Sequence, residues 1–291
     1  MRRRRLVISL VVFCSIISFP YFLNAEFDGQ QLKVHFINVG QGDSIFIETP
    51  NGRKVLIDGG PPSAGDKVVT FLMEKGIKEL DLVISTHPDI DHIGGLIQVL
   101  DTFKVKELID SGKIYTTATY FEYLDRIRKN DIPVKLVKPS DNIPLDPSLD
   151  ITVLNSPSGF KSNNASSLAL SLHYKEVDFL LMADVEKKQE SDFIEKGNLK
   201  AEILKVGHHG SETSTSFEFL REIHPETAIL SYSINNTYGH PVDNVVENLQ
   251  LLGTNIYSTA KAGDISIYTN GEEYDVKVSG MDRVITRKAH K

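Results

Sequence analysis

Four residues in six positions, His87-x-Asp89-x-Asp91-His92, offer two imidazoles and two carboxylates on one turn. They follow the apolar run Leu82-Val83-Ile84-Ser85-Thr86 and are closed by Ile93-Gly94-Gly95. A buried strand therefore ends in a cluster that packing does not require. An Asp-rich turn can serve only as a solvated helix cap, but that accounts for one or two such residues, not four. Carboxylates and histidines this close need a positive charge among them, and one or two divalent cations are the simplest source. Three distant segments supply partners. Leu180–Ala183 runs into Asp184, Ile203–Gly207 into His208-His209, and Ala228–Ser231 leads on to Asn235-Asn236-Thr237-Tyr238-Gly239-His240-Pro241.

The elements that carry these groups are legible from periodicity. Alternation predicts strands at 31–39, 44–48 and 54–58, joined by the turns Gly40-Gln41-Gly42-Asp43 and Pro50-Asn51-Gly52, as an antiparallel meander. Helices fit 65–75, 95–103 and 119–129, with strands at 82–85, 105–109 and 134–137. In the 119–129 helix Tyr120, Tyr123, Leu124 and Ile127 are expected to face inward. The second half repeats the style. Strands are expected at 151–154, 167–174, 177–182, 201–206 and 227–231, helices at 186–194, 215–223 and 242–252, and closing strands at 255–257, 264–269 and 274–278. Strands first, then helices alternating with strands, in two halves, suit two packed sheets with helices on both outer faces. Residues at strand ends would then converge on one rim.

On these segments the chain resembles the metallo-β-lactamase-fold hydrolases, and among them the hydrolase domain at the C-terminal end of the ComEC competence proteins. The matching stretches are Phe36–Ser44, Leu56–Gly60, Thr86–Gly95, Asn164–Leu168, Met182–Asp184, Leu204–Ser211 and Tyr238–Pro241, spread over about 32–270. The resemblance implies an α+β fold, a four-layer αββα sandwich with a metal site at one edge. The family's first motif is His-x-His-x-Asp-His. Here its second histidine is Asp89. Carried over, His87 and Asp89 would help hold one metal, and Asp91 and His92 the other. Asp184 matches the bridging aspartate. His208 matches the histidine after the next strand, with His209 the lesser candidate as a ligand and a candidate substrate contact. Where relatives carry a third histidine, this chain has Asn163-Asn164 and Ser166. Oxygen-rich ligation favours harder ions, so manganese is expected at least as readily as zinc.

Other residues have milder readings. Asp58 either braces a ligand or caps its turn. Gln41 and Asp43 carry either turn chemistry or a site-facing role. Lys205 and Asn164 are candidate contacts to an anionic substrate, although a strand lysine more often lies on a solvated face. His240 is a candidate phosphate contact or proton donor. His35, His173, His224 and His290 lack companions and read as structural or exposed.

Composition bounds the rest. The 291 residues have the apolar and charged content of a globular protein. Arg2–Arg5 followed by an apolar stretch to Leu23 and by Asn24-Ala25 reads as a signal peptide over 1–25. The rival is a retained anchor over 6–23. Either puts the 30–280 domain outside the cytoplasm, secreted or membrane-anchored, with a basic, frayed tail at 281–291. Cys14 is the single cysteine. Without the leader no disulfide, thiol nucleophile or thiolate ligand is available. Losing four arginines and no acid moves the formal charge from −7 to −11, which disfavours broad nonspecific binding to nucleic acid. No Gly-x-Ser-x-Gly elbow or Walker loop is present.

The resulting expectation is a hydrolase that uses two divalent ions, manganese or zinc, to activate water against a phosphodiester, either DNA or a smaller ester. Asp91 or Asp184 would orient the nucleophile. His240, Lys205 or Asn164 would stabilise the leaving side. The alternatives are a lactam, lactone or thioester hydrolase of the same fold, or a non-catalytic accessory module in DNA uptake.

Overall fold

The structure is a computed structural model that describes residues 30–156, 162–197, 199–279 and 285–288. The leader with Cys14, and His290, lie outside the described residues.

Two sheets face each other. The first has nine strands. Leu32–Phe36, Ile45–Glu48 and Lys54–Ile57 form the expected antiparallel meander. Leu82–Ser85, Leu108–Asp110 and Val134–Leu136 then add in parallel. The second sheet begins with antiparallel Asp150–Asn155, Ala169–Tyr174 and Val177–Leu181 and continues with parallel Ile203–Lys205, Thr227–Leu230 and Asn255–Ser258.

The two halves of the sequence are not closed units. Ile265–Thr269 returns to the first sheet and pairs with Leu32–Phe36. Glu273–Val278 and Ile285–Lys288 follow it outward. Ile285–Lys288, expected within a frayed tail, is therefore an edge strand.

The period-two pattern explains the layering. In the first sheet Val34, Phe36, Ile45, Ile47, Val55, Ile57 and Ile84 point into the space between the sheets. Leu170, Leu172, Phe179, Leu181, Ile203 and Ile229 meet them from the second. The alternate residues Phe46, Leu56 and Val83 point outward, onto Val68 and Leu72 of helix Gly65–Glu74, Leu96 and Val99 of helix Leu96–Thr102, and Tyr123 of helix Ala118–Lys129. On the far side Leu180, Leu204 and Leu230 meet helices Lys187–Lys196, Phe217–Ile223 and Asp243–Leu251 through Phe193, Phe219, Leu220, Val245 and Leu249. This is the αββα sandwich expected from the sequence.

Local chemistry sets the helix ends. Thr117 accepts from the Tyr120 amide, Ser216 accepts from the Phe219 amide, and Glu186 and Gln189 form a reciprocal capping box. Leu124, expected to face inward, is 39% exposed. The buried stripe follows Tyr120, Tyr123 and Ile127, and Leu124 lies on its flank.

Candidate metal centre

Five segments that leave the carboxyl ends of strands meet at one rim: 58–60, 86–92, 182–184, 206–209 and 231–241. The turn 37–44 joins them from the first hairpin. Several of these residues adopt left-handed backbone without being glycine. They are Asp58 (φ 56°), Ala183 (φ 45°), His208 (φ 44°) and His209 (φ 56°). Such conformations cost roughly 1–3 kcal/mol each and persist only where surrounding structure fixes them. At Gly42 the approach is closer still, since a Cβ there would stand 2.1 Å from the Asp91 carbonyl oxygen.

His87, His92, Asp184, His209 and Asp43 are all buried at this rim. The Asp184 Oδ2 oxygen lies 3.7 Å from His87 Nε2, 3.4 Å from His92 Nε2 and 3.8 Å from His208 Nε2. Its Oδ1 lies 3.7 Å from His209 Nε2. That nitrogen is 3.4 Å from Asp91 Oδ2, and His87 Nε2 is 3.6 Å from Asp89 Oδ2. Most of these separations are too long for hydrogen bonds. They suit two ligands on one ion: atoms about 2.1 Å from a cation at a tetrahedral angle stand about 3.4 Å apart.

The other ring nitrogens explain the orientation. His92 Nδ1 donates to Asp58 Oδ2 at 2.8 Å. Asp58 also accepts from the Thr86 amide at 2.9 Å and the Thr86 hydroxyl at 2.6 Å. With its proton given to Asp58, the Thr86 oxygen can accept from His87 Nδ1 at 3.1 Å. His209 Nδ1 donates to the Ser231 carbonyl at 2.9 Å. In all three rings Nδ1 is engaged, so Nε2 is turned into the common space. Those three Nε2 atoms, with Asp184 Oδ1 and Asp43 Oδ1, are buried without hydrogen-bond partners. Orphaned buried polar atoms are rare and need a cause. These atoms converge on one shared space, and as a set of imidazole nitrogens and carboxylate oxygens they fit divalent ions.

Electrostatics agree. Burial pushes the Asp184 carboxyl up, but His209, His92 and His87 overcome it and hold it well below the usual range. Burial likewise opposes charge on His92 and His209. Asp184 and Asp58 nevertheless raise His92 well above its ordinary value, and Asp184 and Asp43 raise His209 to about 9.

Several expectations change. His209, not His208, takes the inner position and groups with Asp91 and His92, and with Asp43 and Asp184. His208 stands one step out. Its Nε2 receives Asn164 Nδ2 at 3.2 Å and its Nδ1 meets Thr213 Oγ1 at 3.0 Å. Asp89 remains at the rim, its Oδ1 accepting from Asn163 at 2.6 Å. Lys205 is not a substrate contact. It is fully buried, pairs with Asp43 Oδ2 at 2.8 Å and donates to the Val206 carbonyl. It shares the inward face of its strand with Ile203, and that alternation was the available signal. Asp58 is a brace rather than a mere turn cap. Gln41 accepts from the Ser233 amide at 3.2 Å and ties the first turn to the 231–241 loop. His240 is half-buried, with its ring 5.5 Å from that of His208 and 6.5 Å from that of His209. Sequence reasoning missed Thr86, Thr213 and Asn155. Asn155 donates to the Ala165 and Ser167 carbonyls and shapes the Asn164 loop. His35 and His173 lie outside the cluster. His35 is buried against Phe46, and His173 pairs with Asp178.

The model of the metallo-beta-lactamase superfamily matches residues 37–233. The chain belongs to this superfamily. ComE operon protein 3 of Bacillus subtilis (strain 168) is 36% identical over 252 residues, covering 80% of this chain and 32% of its own length. Competence protein ComA of Neisseria gonorrhoeae is 28% identical over 235 residues, covering 78% and 30%. The chain thus spans about a third of the length of the curated relatives it matches, and the likeness to the ComEC type holds for that third. Among solved structures, the metallo-beta-lactamase fold protein YhfI from Bacillus subtilis superposes with a TM-score of 0.57 at 13% identity, covering 82% of this chain and 100% of that one. That match speaks to fold alone. The buried His/Asp cluster therefore stands in a superfamily of hydrolases at the position where it could hold metal.

Proposed function

We propose that this protein is a metal-dependent phosphodiesterase acting on DNA or a smaller phosphodiester, outside the cytoplasm. The observation that carries the reading is the convergence of orphaned Nε2 and carboxylate atoms on one buried space. His87, Asp89 and Asp184 would hold one cation, and Asp91, His92 and His209 the other, with Asp184 between them. Three aspartates among six ligands favour manganese at least as well as zinc. When bound, the two ions supply an acidified water and charge compensation for phosphoryl oxygens.

The chain's own residues do the positioning. Asp58 and Thr86 fix His92 and His87 so that neither ring turns away. Asp91 and Asp184 orient the attacking water through their free lone pairs. His240 is held below its ordinary pKa by burial and by His208 and His209. It is therefore neutral at pH 7 and acts as a hydrogen-bond donor to the substrate rather than as a store of an extra proton. The names of the competence relatives favour DNA among phosphodiesters, and the acidic charge of −7 favours a short single-stranded end over a long duplex.

The test is turnover of single-stranded DNA by the purified protein with manganese or zinc, beside Asp91→Ala and Asp184→Ala. Loss of at least 100-fold in both variants is expected, with metal content falling in parallel. Undiminished turnover in either, or a protein that retains no divalent ion without chelator, rejects the assignment. Faster turnover of nitrocefin than of any phosphodiester would favour the lactam alternative.

A further inference from the structure

The outer wall of the site carries an aromatic ring that the mechanism does not use. Tyr238 is 69% exposed, and its ring lies 5.6 Å from that of His240 at an interplanar angle of 23°. His240 in turn lies beside His208. Rings thus step outward from the ligands to solvent, and the outermost presents an open face.

An exposed tyrosine alone means little. The way this one is held means more. Asn236 uses its whole side chain to fix the backbone that carries the two rings. Its Oδ1 accepts from the Tyr238 amide at 3.1 Å and the His240 amide at 3.0 Å, while its Nδ2 donates to the Ser233 carbonyl at 2.7 Å and the His240 carbonyl at 2.6 Å. Gly239, at φ +76° with nothing near its missing Cβ, is there for the reversal between the rings. The loop is tied to the ligand segment behind it. Val242 donates to the Gly210 carbonyl at 2.9 Å, and a Cβ on Gly210 would collide with Pro241. The backbone that carries the tyrosine is thus placed in advance, so little main-chain freedom is left to lose on binding.

We propose that Tyr238 is a stacking platform for the nucleobase next to the scissile phosphate, so that the substrate is a single-stranded nucleic acid end rather than a base-free ester. The inference rests on the phosphodiesterase reading. A flat ring at the mouth of a phosphate site fits a base because every base offers a π face whatever its sequence. One such contact also suits a protein of formal charge −7, since binding along a duplex rests on many phosphate contacts.

The test uses the full chain as wild type, Tyr238→Ala and Tyr238→Phe. Two substrates are compared, a short thymidine oligonucleotide and the same backbone with abasic sites. The alanine variant should lose about 10- to 100-fold in kcat/KM on the oligonucleotide, mostly through KM, as expected for one lost stack. It should change less than about 2-fold on the abasic strand, and the phenylalanine variant should match wild type on both. Binding is read separately, in EDTA, from quenching of a 2-aminopurine oligonucleotide, which Tyr238→Ala should abolish and Tyr238→Phe keep. Equal losses on both substrates, or quenching indifferent to Tyr238, overturn the platform. Turnover without dependence on Tyr238 removes the platform and leaves the hydrolase. Tyr238-dependent quenching without turnover of either substrate removes the hydrolase and leaves the platform.

Discussion

Replacing Lys205 by methionine tests whether the ammonium buried behind the candidate ligands maintains the site. Lys205 has no exposure, and its ammonium stands 2.8 Å from Asp43 Oδ2. At an effective dielectric near 20 the Coulomb attraction across that distance is roughly 6 kcal/mol. Desolvation of both ions offsets much of it, so the pair adds little net stability. Breaking it is different, because Asp43 would stay buried with His209 as its nearest remaining cationic neighbour, at 3.5 Å. Lys205→Met should therefore destabilise the metal-free protein by about 3–5 kcal/mol, a large part of the roughly 5–15 kcal/mol that holds a domain folded. Adding Asp43→Asn should restore at least about 2 kcal/mol, since contacting residues couple. The sign with pH is also fixed. In wild type, burial raises the Asp43 carboxyl, but Lys205 and His209 outweigh it and hold it below its ordinary range. That depressed pKa supplies stability above pH 3.8, lost as pH falls below it. Removing Lys205 takes away the largest of the influences that lower the carboxyl, so its pKa should rise, and the deficit of the single variant should shrink as pH falls and Asp43 gains a proton. Urea unfolding in EDTA at several pH values, on both single variants and the double, measures all of this. A loss under about 1 kcal/mol for Lys205→Met, or strict additivity in the cycle, refutes the reasoning.

Other outcomes follow from the same geometry. Asp58→Asn removes the acceptor that orients His92 and should weaken metal binding roughly 10- to 100-fold, measured by competition with a chelating dye; unchanged affinity would show that Asp58 only shapes its turn. Because His209 titrates at about 9 in the metal-free protein, cations must displace protons. The protonated ring stabilises the metal-free form fully below pH 6.5 and loses that effect as pH rises through 9, so metal affinity should climb over that window. Titration calorimetry should then give heats that follow the ionisation enthalpy of the buffer, and buffer-independent heats would count against it. Gly42→Ala places a methyl 2.1 Å from the Asp91 carbonyl at φ +130°, and should lower both thermal stability and metal content where Gly76→Ala, with open space around it, leaves metal content unchanged.

The sandwich and its rim were legible because the ligand types sit directly after apolar runs, and strand ends must meet where two sheets face. The choice between His208 and His209 was not legible. Both have left-handed backbones, so neither strand nor helix periodicity says which ring turns inward. The place of Lys205 is hidden for a different reason. A strand in the middle of a covered parallel stretch has no solvated face, and a lysine there must find an anion inside. Alternation with Ile203 carried that information, but its partner Asp43 is more than 160 residues away in the chain. The return of Ile265–Thr269 to the first sheet was equally hidden, since pairing partners at long range leave no local trace.

That return has a consequence for the growing chain. Strand Leu32–Phe36 has one neighbour as soon as the first hairpin closes, but its other edge stays bare until Ile265–Thr269 has been made. Every residue that would hold metal emerges earlier. An N-terminal fragment containing the whole candidate ligand set would still expose the bare edge of this five-residue strand, open to pairing with another chain. Pairing of Ile265–Thr269, rather than arrival of the final candidate ligand, is what closes that edge.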